Sequence, residues 1–394
     1  MNDPQSIGSQ QLTPILCFCH LRWNFVYQRP QHLLTRCEKL AQVHLWEEPL
    51  FEDEPVARLA STATPSGVRV LTPILPRGTT PDAALTFERE LLDSYVANEQ
   101  IENFIAWYYT PMALRFSDHL TPEVTVYDCM DELSAFHGAP PELIAQEQRL
   151  FDRADVVFAG GSSLYSSKRR QHANVHLFPS SIDRHHFAAG RLEQPDPEDQ
   201  RSIPHPRIGF FGVVDERLDR ELLRQVAAEH PEWHFVMVGP VVKISENDLP
   251  RGQNLHYLGQ KSYADLPQYL ANWDVAMLPF ARNAATEFIS PTKTPEYLAA
   301  GKPVVSTPIR DVAKPYGEMG LVKIAADAQQ FGEAIDACLH PEDDRWLEKV
   351  DRFLSNTSWD KTFEGMWKEI QRCSPQHSGS SAAYIAEKRS GTNV

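Results

Sequence analysis

TEFISPTKTPEYLAAGKPVVST, residues Thr286 to Thr307, reads in one run as a polar loop, a short helix and a buried strand. Pro291 and Pro295 punctuate the loop of Ser290, Thr292, Lys293 and Thr294. Pro295 predicts the first helical residue, because its missing N–H would be unpaired there in any case. Glu296 to Ala300 are helix-compatible, Gly301 supplies a left-handed stop, and Pro303 opens the β-branched pair Val304 and Val305. A helix N-terminus that follows hydroxyls and a lysine favours an anion, since free backbone N–H groups and the macrodipole both attract phosphate. Glu296, in the first turn of what reads as a short exposed helix, is placed to accept two hydroxyl hydrogen bonds, as from a ribose. The plain alternative is an acidic first turn followed by ordinary αβ punctuation, with no ligand.

Working outward, the same alternation continues on both sides. Downstream of residue 206, RIGFFGVV, HFVMVGP and GLVKIA read as strands, with a helix through Arg217 to His230 between the first two. Upstream, ILCFCH after Pro14 reads as a buried strand, followed by an amphipathic helix carrying Leu33, Leu34, Cys37 and Leu40 on one stripe. His20, Arg22, Trp23, Arg29, Gln31 and His32 then crowd the carboxyl end of that strand, where open α/β sheets bind ligands. VHLWEEPLF reads as a strand with an acidic exit and VRVLTPILP as the next, with a helical pattern from Ala83 to Phe104. IAWYYTP is strand-like, and VTVYDCMDEL is a strand with Asp128, Asp131 and Glu132 at its end. Strands alternating with helices imply an α/β chain with parallel, doubly wound sheets.

The composition of residues 188–206, AAGRLEQPDPEDQRSIPHP, shifts to Pro and charge, which reads as a linker. The expected organisation is a flexible N-terminus (1–13), a first domain (14–187), the linker, a second domain (207–355), a final helix (356–373) and a Ser/Gly-rich disordered tail (374–394).

Composition removes several classes. With 394 residues, 42% hydrophobic and 23% charged, the chain can build two full cores, and a net charge of −15 argues against nucleic acid as the main partner. No leader and no apolar run of membrane-spanning length is present, so the chain reads as cytosolic. The basic cluster Lys168-Arg169-Arg170 with His172 reads as a solvated helix face, the alternative being peripheral contact with anionic lipid at the inner face of a membrane. Six scattered cysteines fit reduced, buried thiols, no C-x-x-C pair exists for zinc, and His185-His186 reads as a surface turn. G-x-G-x-x-G after the first strand, a Walker loop and Asp-x-Asp are all missing, which counts against a nicotinamide dehydrogenase, a P-loop protein and a metal-binding Asp-x-Asp site. No metal and no cofactor is expected.

The string PEYLAAGKPVVST resembles the segment that ends the Glu-x7-Glu motif of GT-B glycosyltransferases, especially the retaining family 4 group, and ADVVFAGGSSLY, FPSSID and NLHYLGQKSYADLPQYLANWDVAMLPF extend the resemblance. HLRWNFVYQRPQHL and YDCMDE are similar to segments of bacterial enzymes that make capsular and extracellular polysaccharide. The resemblance covers about residues 14 to 373. It implies a GT-B fold of two facing Rossmann-like domains, with the C-terminal helix returning to the first, the donor on the second domain and the acceptor mainly on the first.

By that resemblance Gly259, Gln260 and Lys261 meet the nucleotide base, Ser290, Pro291, Thr292 and Lys293 hold the diphosphate, and Glu296 holds the ribose. The loop starting at Gly212, GVVDER, matches one that carries an Arg and a Lys in the family, but here only Arg217 is cationic, so Arg217 and Lys293 take the charge role. Asp131 stands where the family has a His near the transferred sugar, His20 lies beside it in role, and Arg22, Trp23 and Arg29 form the acceptor side. The position of the motif's first Glu is Phe288, with Glu287 one residue early.

The implied activity is hexose transfer from a nucleoside-diphosphate sugar, as co-substrate, to a glycan or lipid-linked acceptor. Retention follows from the resemblance only; an inverting enzyme would want a general base, and His20 or Asp131 could serve. A nucleotide-sugar 2-epimerase and a non-catalytic sugar-nucleotide-binding subunit are the competing readings.

Overall fold

The computed structural model describes residues 13–37, 40–341, 343 and 345–374. The terminal stretches read as flexible therefore lie outside the described residues, apart from Thr13 and Ser374. Nine strands form a first sheet: β1 (Thr13–Phe18), β2 (Ala41–Trp46), β3 (Leu50–Glu52), β4 (Arg58–Ala63), β5 (Arg69–Pro76), β6 (Ile105–Tyr108), β7 (Val124–Cys129), β8 (Val156–Ala159) and β9 (Val175–Leu177). Their order is β3-β5-β2-β1-β6-β7-β8-β9, with β4 antiparallel on β5. β1 is parallel to both β2 and β6, and the continuous burial of β6, β7 and β8 is what a sheet covered on both faces requires.

The second sheet is wholly parallel, in the order β12-β11-β10-β13-β14-β15. Its strands are β10 (Arg207–Phe211), β11 (His234–Val238), β12 (Leu255–Gly259), β13 (Val275–Leu278), β14 (Val304–Ser306) and β15 (Lys323–Ile324). The described chain forms two compact units. One holds the residues up to Asp128, Ile144–Val157 and those from Trp367 onward; the other holds Cys129–Leu143 and Phe158–Met366.

Several local expectations are corrected. VHLWEEPLF is two strands, because Glu47-Glu48-Pro49 breaks the run between β2 and β3. The first helix is Arg29–Cys37, and Leu40 lies beyond it, 41% exposed. The helix expected to reach Phe104 is Pro81–Asn98, started by the Thr80 cap with Pro81 in its first turn and ended near Gln100, whose φ of 54° is left-handed. Ile101 and Phe104 are buried in the turn that leads to β6. His185 and His186 sit in the helix Arg184–Ala188, and His186 stacks on Tyr263 with ring centroids 4.4 Å apart. Lys168 is not on a solvated face: it is buried and pairs with Glu132 at 2.7 Å, while Arg169 and Arg170 are exposed.

The central helix runs Lys293–Ala299, two residues ahead of Pro295. Thr292 already has helical backbone angles, and Pro295 is tolerated in the first turn, where its absent N–H is not needed. From Thr294 onward the helix is buried, not exposed, and the Tyr297 hydroxyl accepts the Phe211 N–H of β10 at 2.9 Å.

Residues 188–206 are fastened to the second unit. Asp196 pairs with Arg207 at 2.7 Å, Asp199 accepts from the Tyr269 hydroxyl at 2.7 Å, and the Gln200 side-chain oxygen accepts the Trp273 indole N–H at 2.8 Å. Trp273 lies flat against β10 at Gly209, where an added Cβ would sit 1.9 Å from its ring. We expect Gly209→Ala to destabilise the protein by about 3 kcal/mol through overpacking. Urea unfolding measures it, and a change below about 1 kcal/mol would mean that Trp273 can move aside.

Candidate functional site

In the second sheet the chain leaves β10 towards β11 on one side and returns to β13 on the other. The carboxyl ends of β10 and β13 therefore lie at a topological switch point, where open α/β sheets hold ligands. Gly212 follows β10, Gly239 follows β11 and Gly259 ends β12. The Gly212 N–H donates to the Val238 carbonyl, and the Gly239 N–H to the Gly259 carbonyl, each at 2.8 Å. Gly212 and Gly239 have φ of 134° and 147°, and a Cβ on Gly239 would lie 1.9 Å from the Gly212 carbonyl oxygen. Side chains are thus excluded here and backbone lines the space.

Lys293 enters that space from the helix Lys293–Ala299. A Cβ on Gly212 would meet its Cε at 2.1 Å and its Nζ at 2.6 Å, so the ammonium lies directly over the glycine backbone. The side chain is half-buried, and it also lies over the Phe210 ring at 5.6 Å. Burial pushes its pKa below the ordinary lysine value; Arg217 adds to this, and Glu296, Asp215 and Asp131 oppose it. Glu296 is 4% exposed, and its carboxylate accepts no hydrogen bond among the described residues. Burial raises its pKa, against the pull of Lys293. A carboxylate withdrawn from water without a protein donor is unfavourable unless something else completes it.

Arg217 is held differently from the free cation expected of it. Its Nε and Nη2 grip both oxygens of Asp215, at 3.0 and 2.6 Å, so much of its charge is already answered. Its guanidinium also lies over the Phe136 ring at 5.5 Å, and Lys243 approaches the same ring at 5.1 Å. Asp131 follows the end of β7, and its charge is felt by both Arg217 and Lys293. The structure thus brings Gly212, Arg217, Lys293, Glu296 and Asp131 into one neighbourhood. Sequence reasoning missed Asp215, Phe136 and Lys243. Lys243 follows the carboxyl end of β11, which is the signal that could have found it.

The remaining donor-side residues are placed with less to do. The Ser290 carbonyl accepts from the Ser180 hydroxyl at 2.7 Å, the Pro291 carbonyl accepts the Thr294 N–H at 3.2 Å, and the Thr292 side chain makes no cap hydrogen bond. Gly259 and Gln260 are exposed at the end of β12. Lys261 is drawn away by Asp199, at 2.7 Å. Glu287 is exposed and ends a short turn capped by Asn283.

In the first unit Glu47, read only as part of an acidic strand exit, organises the loop after β1. It accepts from Arg22 Nη1 at 3.1 Å, the Trp23 N–H at 2.6 Å and the Thr72 hydroxyl at 2.9 Å. Arg22 also donates to the Pro49 carbonyl at 3.1 Å. Arg29 is not an open acceptor-side cation: it is 3% exposed and pairs with the fully buried Asp128 at 2.9 Å. Burial raises the Asp128 pKa, and Arg29 opposes that rise. His20 follows β1 in the same unit, partly exposed.

Residues 205–341 match the family model described as glycosyl transferases group 1. A Bacillus subtilis (strain 168) protein, whose name places it among glycosyltransferases of teichuronic acid biosynthesis, is 26% identical over 245 residues, 57% of this chain. The match spans about 60% of that relative's length. Among solved structures, sucrose-phosphate synthase from Thermosynechococcus elongatus aligns over 91% of this chain and 98% of its own at 15% identity and a TM-score of 0.69. The Anabaena protein HepE, solved in complex with UDP and glucose, aligns over 91% of this chain and 99% of its own at 16% identity and a TM-score of 0.64. These likenesses, with a parallel sheet in each half, show a GT-B α/β fold.

Proposed function

We propose that this GT-B chain is a glycosyltransferase that moves a hexose from a nucleoside-diphosphate sugar to a glycan or lipid-linked acceptor, with retention, in surface polysaccharide biosynthesis. The observation that carries the reading is Glu296: a buried carboxylate with no hydrogen bond among the described residues, beside a lysine that reaches over the Gly212 backbone. Ribose hydroxyls supply the donors that Glu296 lacks, and a diphosphate supplies the anion that Lys293 and the open backbone favour. The group 1 match, the relative's name and the UDP and glucose bound to the Anabaena protein support the same assignment.

In this mechanism the departing nucleoside diphosphate develops negative charge, and Lys293 answers it from a site that is already partly dehydrated. Arg217, clamped on Asp215, orients more than it neutralises. Asp131 lies beside the transferred sugar. No helix among the described residues is long and apolar enough to cross a membrane, and action at the inner membrane face belongs to the same proposal.

The deciding experiment is a nucleotide-sugar panel in which nucleoside diphosphate release is measured with and without saccharide acceptors, and the product anomer is read by NMR. Acceptor-dependent release supports transfer, and the absence of release with every donor overturns it. Transfer is also expected to survive a strong chelator. The sequence has no Asp-x-Asp, the described residues hold no cluster of three metal-ligating side chains, and fixed cations supply the charge. Loss of turnover that magnesium or manganese restores would count against that mechanism.

A further inference from the structure

A cavity in the first unit is lined by none of the residues assigned above to the donor. It measures about 330 Å³ and opens where β1 and β2 end and where the chain leaves β6. Its volume is at the low end of those that hold small molecules. Phe18, Trp46 and Phe116 give it an aromatic floor, with the Phe116 centroid 5.9 Å from Phe18 and 6.0 Å from Trp46. Glu88, Arg115 and Thr110 stand on its walls.

Two of these groups are complementary. Trp46 is 3% exposed, and its indole N–H makes no hydrogen bond of good geometry among the described residues. Glu88, 6% exposed on the helix Pro81–Asn98, is the carboxylate beside that N–H: burial raises its pKa, and the approach of the Trp46 N–H opposes that rise. The cavity therefore presents one buried donor and one buried acceptor side by side over aromatic rings. A hydroxyl satisfies both at once, since it donates one hydrogen bond and accepts others. An ammonium could serve only Glu88. A phosphate or carboxylate could serve only Trp46, and would meet the carboxylates of Glu88, Glu47 and Glu48 with Arg115 as the one cation among the lining side chains.

We propose that this cavity is a sugar subsite that takes an uncharged hexose ring, one hydroxyl of which donates to Glu88 and accepts from Trp46 Nε1. The apolar face of the ring lies on the aromatic floor. As the acceptor's ring it rests on the transferase reading; as a sugar-binding pocket it does not.

The test uses the full chain without nucleotide, titrated with glucose, galactose, mannose and N-acetylglucosamine, and in parallel with glucose 6-phosphate, glucuronic acid and glucosamine, by saturation-transfer NMR. At least one neutral sugar is expected to bind, with its charged counterpart about tenfold weaker. Trp46→Phe keeps the aromatic floor and removes only the N–H, and it is expected to weaken binding about fivefold; Glu88→Ala is expected to weaken it about tenfold. Circular dichroism establishes that each variant is folded, and Trp46→Phe decides alone if Glu88→Ala is not. The proposal falls if no neutral sugar binds, if a charged sugar binds more tightly, or if folded Trp46→Phe binds as the parent does. Nucleoside diphosphate binding and turnover, measured on the same samples, separate the two readings. Trp46-dependent sugar binding without turnover removes only the transferase, and turnover without sugar binding removes only the subsite.

Discussion

Replacing Lys293 by methionine is expected to lower kcat by about 10²- to 10³-fold, the size of effect seen when one fixed donor to a developing anion is removed. Methionine preserves an unbranched stem where Lys293 crosses Gly212, so the packing that a smaller residue would lose is largely kept. Neighbouring cations cannot stand in. Arg217 is held by both oxygens of Asp215, and Lys243 is engaged over the Phe136 ring. The charge that answers the leaving diphosphate therefore comes chiefly from one side chain, whose burial places its titration below the ordinary lysine range. As pH rises through that lowered pKa the ammonium is lost, and kcat falls with it. The parent should show an alkaline limb that Lys293→Arg moves to higher pH, because a guanidinium stays charged. Steady-state turnover at saturating donor across pH reads both effects. A methionine variant that keeps more than about a tenth of the parent kcat would show that backbone donors carry the stabilisation.

How much of this could be read in the sequence follows from the range of the interactions concerned. The two sheets were legible because buried strands, such as ILCF or IAWY, announce themselves by local apolar runs between turn signals. The Lys293–Glu296 pair was legible because it lies on a single helix. Burial was not, since it depends on what covers the helix: Tyr297 reaches back to β10, and that contact spans 86 residues. The same limit explains Arg29. Its partner Asp128 is 99 residues away, and a guanidinium at a strand end looks equally available for an acceptor or for a carboxylate in the core. Glu47 and Lys168 failed in the other direction. Each looks like surface charge in sequence, yet Glu47 holds the loop after β1 from the end of the neighbouring strand β2 and Lys168 is buried against Glu132. Residues 188–206 have the composition of a linker, but they lie within the second unit, where Asp196, Asp199 and Gln200 each find a partner.

Glu296→Gln separates a binding role from a structural one, because the two make opposite predictions about stability. If Glu296 accepts two ribose hydroxyls, each charge-assisted bond is worth about 1.5–3 kcal/mol, and weakening both should raise the Kd for a nucleoside diphosphate about 100-fold. Its effect on stability follows from its pKa. Burial raises the folded-state value above the ordinary 4.5, and Lys293 opposes but does not cancel the shift. The folded state therefore favours the protonated carboxyl: its contribution is complete below the unfolded value and is lost as pH rises through the raised folded one. Glutamine, which carries no charge at any pH, removes that loss. The variant should be no less stable than the parent at pH 8 and should show a flatter dependence of unfolding free energy between pH 5 and 8. Calorimetric titration with nucleoside diphosphates and urea unfolding at the two pH values measure the pair of effects. Undiminished nucleotide affinity together with earlier unfolding would make Glu296 a structural residue, and the donor site would have to be sought elsewhere on the second sheet.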